Sequence, residues 1–224
     1  MIVAFGGKKR AGKGTMADVL VKKFNYTKVS FADGLRNLAS NVFGIEEDNF
    51  TSDELKEQAF SNPIVFTEAH LGLLINDLEV QGFIVSDEAK NQLQTAIGTT
   101  FNNPRHLLQV LGTDILRKNY DDTIFLKMMD KRLGELADVV IDDMRFGVER
   151  EFVREKNGVL CLVNRPALVT QDSHRSENEL GHDGEYDIII NNDATVNKVQ
   201  SELELWFYNF LLHKRRNSSV SKFY

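Results

Sequence analysis

Ile2-Val3-Ala4-Phe5-Gly6-Gly7-Lys8-Lys9-Arg10-Ala11-Gly12-Lys13-Gly14-Thr15 decides the fold. Four apolar residues read as a buried strand, because a strand covered on both faces shows a continuous run and no alternation. Glycines and cations then break the pattern. Beyond them Met16, Leu20 and Phe24 recur at helical spacing, so the spacing predicts a helix over Lys13–Phe24. Strand, glycine-rich turn and helix follow one another without a gap.

That order gives the turn a chemistry. Gly7 to Thr15 nearly matches G-x-x-x-x-G-K-[ST], the loop whose backbone N–H groups curl around phosphate oxygens. The helix behind it directs its positive end at the same point. Lys13 is placed to reach the β- and γ-phosphates, and Gly7, Gly12, Gly14 and Thr15 shape the cradle. Lys8, Lys9 and Arg10 add positive charge, at least one of them expected on the nucleotide. The departure is Gly14, where the motif has Ser or Thr; Thr15 follows one place later.

Outward from the loop, strand and helix patterns alternate. Strand candidates are Tyr26–Phe31, Val139–Ile141, Val159–Val163 and Asp187–Ile190; Leu35, Leu38, Ala39 and Val42 mark a helix ending near Gly44. A helix is expected over Thr123–Leu136, a polar one near Val148–Lys156, and a last one through Val196, Val199, Leu203, Trp206 and Phe210. The alternation predicts an α/β fold with a five-stranded, mainly parallel sheet and helices on both faces. For 224 residues that core leaves a surplus. It has two addresses: a mostly helical insertion from Ile45 to Pro104, with a small hairpin expected around Phe83-Ile84-Val85, and an aperiodic stretch from Asn164 to Glu185 suited to a lid. The chain therefore reads as a single domain, 1–224, with two elaborations.

Composition removes other classes. A net charge of −6 argues against non-specific nucleic-acid binding. No apolar run approaches the roughly 18 residues of a membrane span, and the first residues lack the basic flank of a signal peptide. One cysteine, Cys161, excludes an internal disulfide and fits a reducing compartment. No Ser-His-Asp or Cys-His arrangement and no zinc-like spacing is present.

Three further segments lie where strands end, the place where open α/β sheets bind ligands. The first is Phe31-Ala32-Asp33-Gly34-Leu35-Arg36, in which Arg36 either meets a substrate phosphate or is a surface arginine. The second is Arg105-His106-Leu107-Leu108-Gln109-Val110-Leu111-Gly112-Thr113-Asp114. Its Arg105 suits bidentate phosphate recognition and its Gln109 suits a base edge or sugar hydroxyl. The third, Val139-Val140-Ile141-Asp142-Asp143-Met144-Arg145, ends a buried strand in acid, the Walker B arrangement for Mg²⁺ or its waters. Asp143 is preferred over Asp142, with Thr15 as the other metal contact, and Arg145 faces the phosphates.

Together these segments, with Arg165-Pro166, Asp172-Ser173-His174-Arg175-Ser176-Glu177 and Asn191-Asn192-Asp193, resemble the phage-type deoxynucleoside monophosphate kinases of the P-loop nucleotide kinase superfamily. The resemblance covers both ends and most of the second half, and is weak across about 45 to 100. Many nucleoside monophosphate kinases share the Gly12-Lys13-Gly14-Thr15 form. The resemblance implies transfer of the ATP γ-phosphoryl group to a deoxynucleoside monophosphate, with Mg²⁺, in the cytoplasm (the host's, if a phage encodes it). It makes Arg36 and Arg105 acceptor-phosphate contacts, with Asp33, Gln109, Gly112, Thr113, Asp143 and Arg145 beside them. Phe125 falls where a family member packs an aromatic on the base, yet its spacing with Met128, Met129 and Leu133 suits a core position equally. Arg165, His174 and Arg175 belong to the lid, Arg175 on the ATP side. Within the same superfamily a dephospho-CoA-kinase-like acceptor is the alternative; a non-catalytic nucleotide-binding protein is the alternative outside it. The last helix, with Trp206, Phe207 and Phe210, either packs on its own sheet or joins a homodimer.

Overall fold

Strand β1 (Ile2–Gly6) is central because its apolar residues are buried on both faces. In the computed structural model, which describes residues 1–52, 54–166 and 183–220, it pairs in parallel with β5 (Val139–Met144) on one side and β6 (Val159–Asn164) on the other. Strand β2 (Thr27–Val29) lies outside β5 and β7 (Ile188–Asn191) outside β6, so the order is β2-β5-β1-β6-β7, parallel throughout. The chain leaves β1 toward β2 and leaves β6 toward β7. The loop after β1 thus stands where the connections diverge, the usual ligand position of such sheets.

Helix α1 (Lys13–Phe24) and the last helix, α9 (Val196–Val220), share one apolar cluster with the sheet: Met16, Leu20, Val199, Leu203 and Phe207 meet Val3, Phe5, Val140 and Cys161. Alternate residues of the same strands, Ala4, Ile141 and Leu160, are as deeply buried, and α8 (Gly147–Glu155) packs on β6. Phe207 sits edge-on to Phe24 and Tyr26, with centroids 4.8 and 5.6 Å away. The last helix therefore does pack on its own sheet. Cys161 is buried in this cluster, and burial, with the Asp187 carboxylate beside it, pushes its thiol far above the usual range. Iodoacetamide at pH 8 should leave Cys161 unmodified in the native protein and label it in guanidinium, as mass spectrometry will report; rapid native labelling would contradict this core.

These elements form one compact unit, Met1–Ser30 with Leu133–Tyr224; a second unit comprises Phe31–Arg132. In the second, helix α2 (Asp33–Phe43) contributes Leu38, Ala39 and Val42 to a cluster with Phe66, Leu74, Leu78, Phe101, Leu107 and Leu111. The 45–104 segment has no core of its own; it shares this one with α2 and with the helices after Pro104. Thr67 caps α4 (Glu68–Val80) through a reciprocal box with His70, Ser86 caps α5 (Asp87–Gln94), and Asn103 followed by Pro104 starts α6 (Pro104–Gln109).

The hairpin expected around Phe83-Ile84-Val85 lies elsewhere. Two-residue strands, β3 (Ile64–Val65) and β4 (Thr100–Phe101), pair antiparallel, and Phe83–Val85 is the α4–α5 connection, held by Lys131 over the Phe83 ring. Strands of two residues have too little length to show a period. After α6, Val110–Arg117 is a π-helix, and after it come a turn and α7 (Ile124–Leu133). No helix among the described residues is long and apolar enough to cross a membrane.

Candidate active site

The loop between β1 and α1 owes its shape to residues without side chains. Gly7 has φ +145° and Gly12 φ +103°, values that favour glycine, and Arg10 also lies in the left-handed region. Space is as restrictive as torsion. A Cβ on Gly7 would lie 2.4 Å from the Val163 carbonyl oxygen, and one on Gly12 2.6 Å from Asn192 Nδ2. Asn192, just after β7, donates to the Ala11 carbonyl (2.8 Å), while its own N–H bonds to Asn164 (2.7 Å). Arg165 donates to the Arg10 carbonyl (3.2 Å), so the loop is braced from β6 and β7.

Lys13, the first residue of α1, is only 8% exposed. Its Nζ turns into the loop and donates to the carbonyls of Gly7 (2.6 Å) and Lys8 (3.0 Å). A buried ammonium inside a ring of backbone groups, at the positive end of a helix, has the charge and shape that suit a phosphate. Lys8 and Arg10 project to solvent and Lys9 is half-buried.

The carboxylate beside this loop is Asp142. A Cβ on Gly14 would stand 3.6 Å from its Oδ2, and no atom of Asp143 comes within 4 Å of that point. Asp142 is held at both oxygens: Ser30 Oγ donates to Oδ1 (2.8 Å) and Lys28 Nζ to Oδ2 (3.0 Å). Lys28 also donates to Asp18 (3.1 Å). Burial pulls the lysine's pKa down, but the Asp142 and Asp18 carboxylates outweigh it and hold the ammonium above its ordinary range. The expectation preferred Asp143, which is half-buried one residue on. The pairing explains the ambiguity: Ala4 faces Ile141 and Gly6 faces Met144, so β5 has an extra residue at the two aspartates and alternation cannot be counted through them. Arg145 and Phe146 donate their N–H groups to the buried Glu149, which caps α8.

The other expected residues lie in the second unit. Asp33 starts α2 and takes two arginines, Arg36 at Oδ1 (2.9 Å) and Arg132 at Oδ2 (2.6 Å). Arg36 Nε is buried with no hydrogen-bond partner among the described residues, a donor that suits an anion. Arg105 pairs with Glu57. Gln109 and Thr113 are exposed. Gly112 is buried, its missing Cβ making room for Leu35 Cδ2 at 2.8 Å, with the Phe125 ring next to it. Phe125 is 5% exposed within the apolar cluster, and Arg117 lies 5.2 Å over its ring. Gly112 and Phe125 therefore pack helices together here. Of the stretch expected to form a lid, residues 164–166 and 183–185 are described; His174 and Arg175 lie outside the described residues.

Lys28, Ser30 and Arg132 were not expected. Each is a single polar residue whose partner is far along the chain, 112 residues for Ser30 and 99 for Arg132, and no short motif marks them.

Residues 79–203 match the family model described as "Deoxynucleotide monophosphate kinase". A putative deoxynucleotide monophosphate kinase of Acanthamoeba polyphaga mimivirus is 27% identical over 217 residues, covering 91% of this chain and 94% of that protein. The deoxynucleotide monophosphate kinase of Enterobacteria phage T4 is 24% identical, covering 91% and 97%. A solved shikimate kinase from Aquifex aeolicus covers 95% of this chain and 99% of its own, with 12% identity and a TM-score of 0.45.

Proposed function

Because the chain belongs to the deoxynucleotide monophosphate kinase family, a family of phosphotransferases, we propose that it moves the γ-phosphoryl group of ATP to a deoxynucleoside monophosphate, giving the diphosphate and ADP. The observation that carries the proposal is the Lys13 ammonium, buried inside a glycine-shaped loop at the start of α1.

The acceptor's phosphate has a second pKa of about 6, so it is largely dianionic at neutral pH and attacks without a general base. What the reaction asks of the protein is charge and position. Lys13 and the N–H groups of Gly7–Thr15 hold the ATP phosphates. Arg36 and Arg105 are assigned to the acceptor phosphate, with Asp33 orienting Arg36 and the exposed Gln109 and Thr113 on the acceptor's polar groups. Arg145 is assigned to the transferring group.

A magnesium ion bound with the nucleotide would supply positive charge against the charge of the phosphates. Such an ion needs one or two carboxylates, its waters and the phosphates themselves. The single carboxylate of Asp142 beside Gly14 fits that demand, with the Thr15 hydroxyl as second contact. Among the described residues no group of three or more His, Cys, Asp and Glu offers an alternative cage.

The test is ADP formation with ATP, Mg²⁺ and each deoxynucleoside monophosphate in turn, beside ribonucleotides and dephospho-CoA. Acceptor-dependent ADP with at least one deoxynucleotide is expected; its absence with all of them would falsify the proposal. Arg105→Ala should raise the acceptor KM by about 10- to 100-fold, the worth of one charged hydrogen bond, with the ATP KM little changed. Equal increases in both would remove Arg105 from the acceptor side.

A further inference from the structure

Gly14 stands where the phosphate-loop motif has Ser or Thr, and the space beside it is occupied by a cation. A Cβ there would lie 3.7 Å from Lys28 Nζ and 3.6 Å from Asp142 Oδ2, both ordinary contact distances. In the usual motif a hydroxyl at this position turns toward the metal. Here Lys28 reaches in from β2, 14 residues along the chain, and donates to Asp142 at 3.0 Å and to Asp18 at 3.1 Å.

We propose that Lys28 is a positioning residue of the phosphate site, aiming the Asp142 carboxylate at the cation that accompanies ATP, in the place the usual hydroxyl would take. The role rests on the phosphotransfer proposed above. Three features support it. Lys28 and Ser30, two residues apart on and after one strand, hold the two oxygens of Asp142 separately, which fixes the plane of the carboxylate. The second carboxylate, Asp18, sits one turn into α1, balances the ammonium and tethers it beside the loop's helix. The Lys28 side chain is 37% exposed, and ion pairs so open to water contribute little to stability. A large effect of its removal on nucleotide chemistry would therefore not come from unfolding.

The experiment is calorimetric titration of ADP into the full chain, with and without Mg²⁺, for the parent, Lys28→Met, Asp142→Asn and the double variant, each checked by thermal melting. Mg²⁺ should tighten ADP binding in the parent. Losing an outer partner of a metal-binding carboxylate weakens metal affinity by about tenfold or more, so the Mg²⁺-dependent gain should shrink by about that factor in Lys28→Met, while the melt stays close to the parent's. If Lys28 acts through Asp142, the double variant loses no more than Asp142→Asn alone. An unchanged gain in Lys28→Met overturns the role, as do additive losses. A larger gain does so too, because it would make Lys28 a competitor for Asp142. A parent that binds Mg-ADP but phosphorylates no deoxynucleotide would sink the acceptor assignment and leave Lys28 standing; a parent that binds no ADP would overturn both.

Discussion

Replacing Lys13 with methionine lowers kcat by about 10²-fold or more, the scale of losing one preorganised donor to a developing charge. The lysine is fixed before substrate arrives: it is buried, at the first turn of α1, and bonded to the carbonyls of Gly7 and Lys8. Little reorganisation is left for the moment of transfer, so the interaction is worth more than the same charge in water. Methionine keeps the volume and the helix start, so circular dichroism should be unchanged. ADP binding should weaken less than kcat, since part of the contact grows only as the phosphoryl group moves. Turnover within a few-fold of the parent would show that this loop does not serve the reaction.

Gly7→Ala is the second large effect, and it acts on the fold as well as the site. The new Cβ meets the Val163 carbonyl at 2.4 Å, in the backbone of β6, with no flexible side chain to yield. The φ of +145° adds torsional strain. Together these should cost about 3 kcal/mol or more, which for a chain of this size is a fall in Tm of about 6 to 12 °C. ATP affinity should fall with it, because the only relief is to move the loop away from β6. Gly44→Ala is the control. Gly44 also has a positive φ, +64°, but nothing lies within 4 Å of its missing Cβ, so its cost is torsional only, about 1 kcal/mol. Equal melting points for the two variants would remove the Val163 clash from the explanation.

The core of the molecule was legible because two signals coincided. Val3 to Phe5, Val139 to Ile141 and Val159 to Val163 are continuous apolar runs, and Met16, Leu20 and Phe24 repeat at the helical period; each signal names both element and burial. The nucleotide loop was legible because its chemistry is local, nine residues in one turn. What was not legible depends on distance or on small departures from regular geometry. The bulge in β5 sets which way Asp142 and Asp143 face, and it exists only once β1 is beside it. Lys28 is an unremarked lysine until Asp142, 114 positions later, folds against it. The segment that holds Gly112 is a further case: Val110–Arg117 winds as a π-helix, which no regular period marks, and Gly112 packs against Leu35.

The brace between Asn192 and the loop has a consequence for synthesis. The Ala11 carbonyl in the loop is made 181 residues before the Asn192 side chain that bonds it and closes over Gly12. A growing chain thus carries the motif through the synthesis of the residues between without the support that shapes it. The braced geometry exists only when β7 has been made and docked, so a ligand that needs it reports on that docking and cannot template the folding that precedes it.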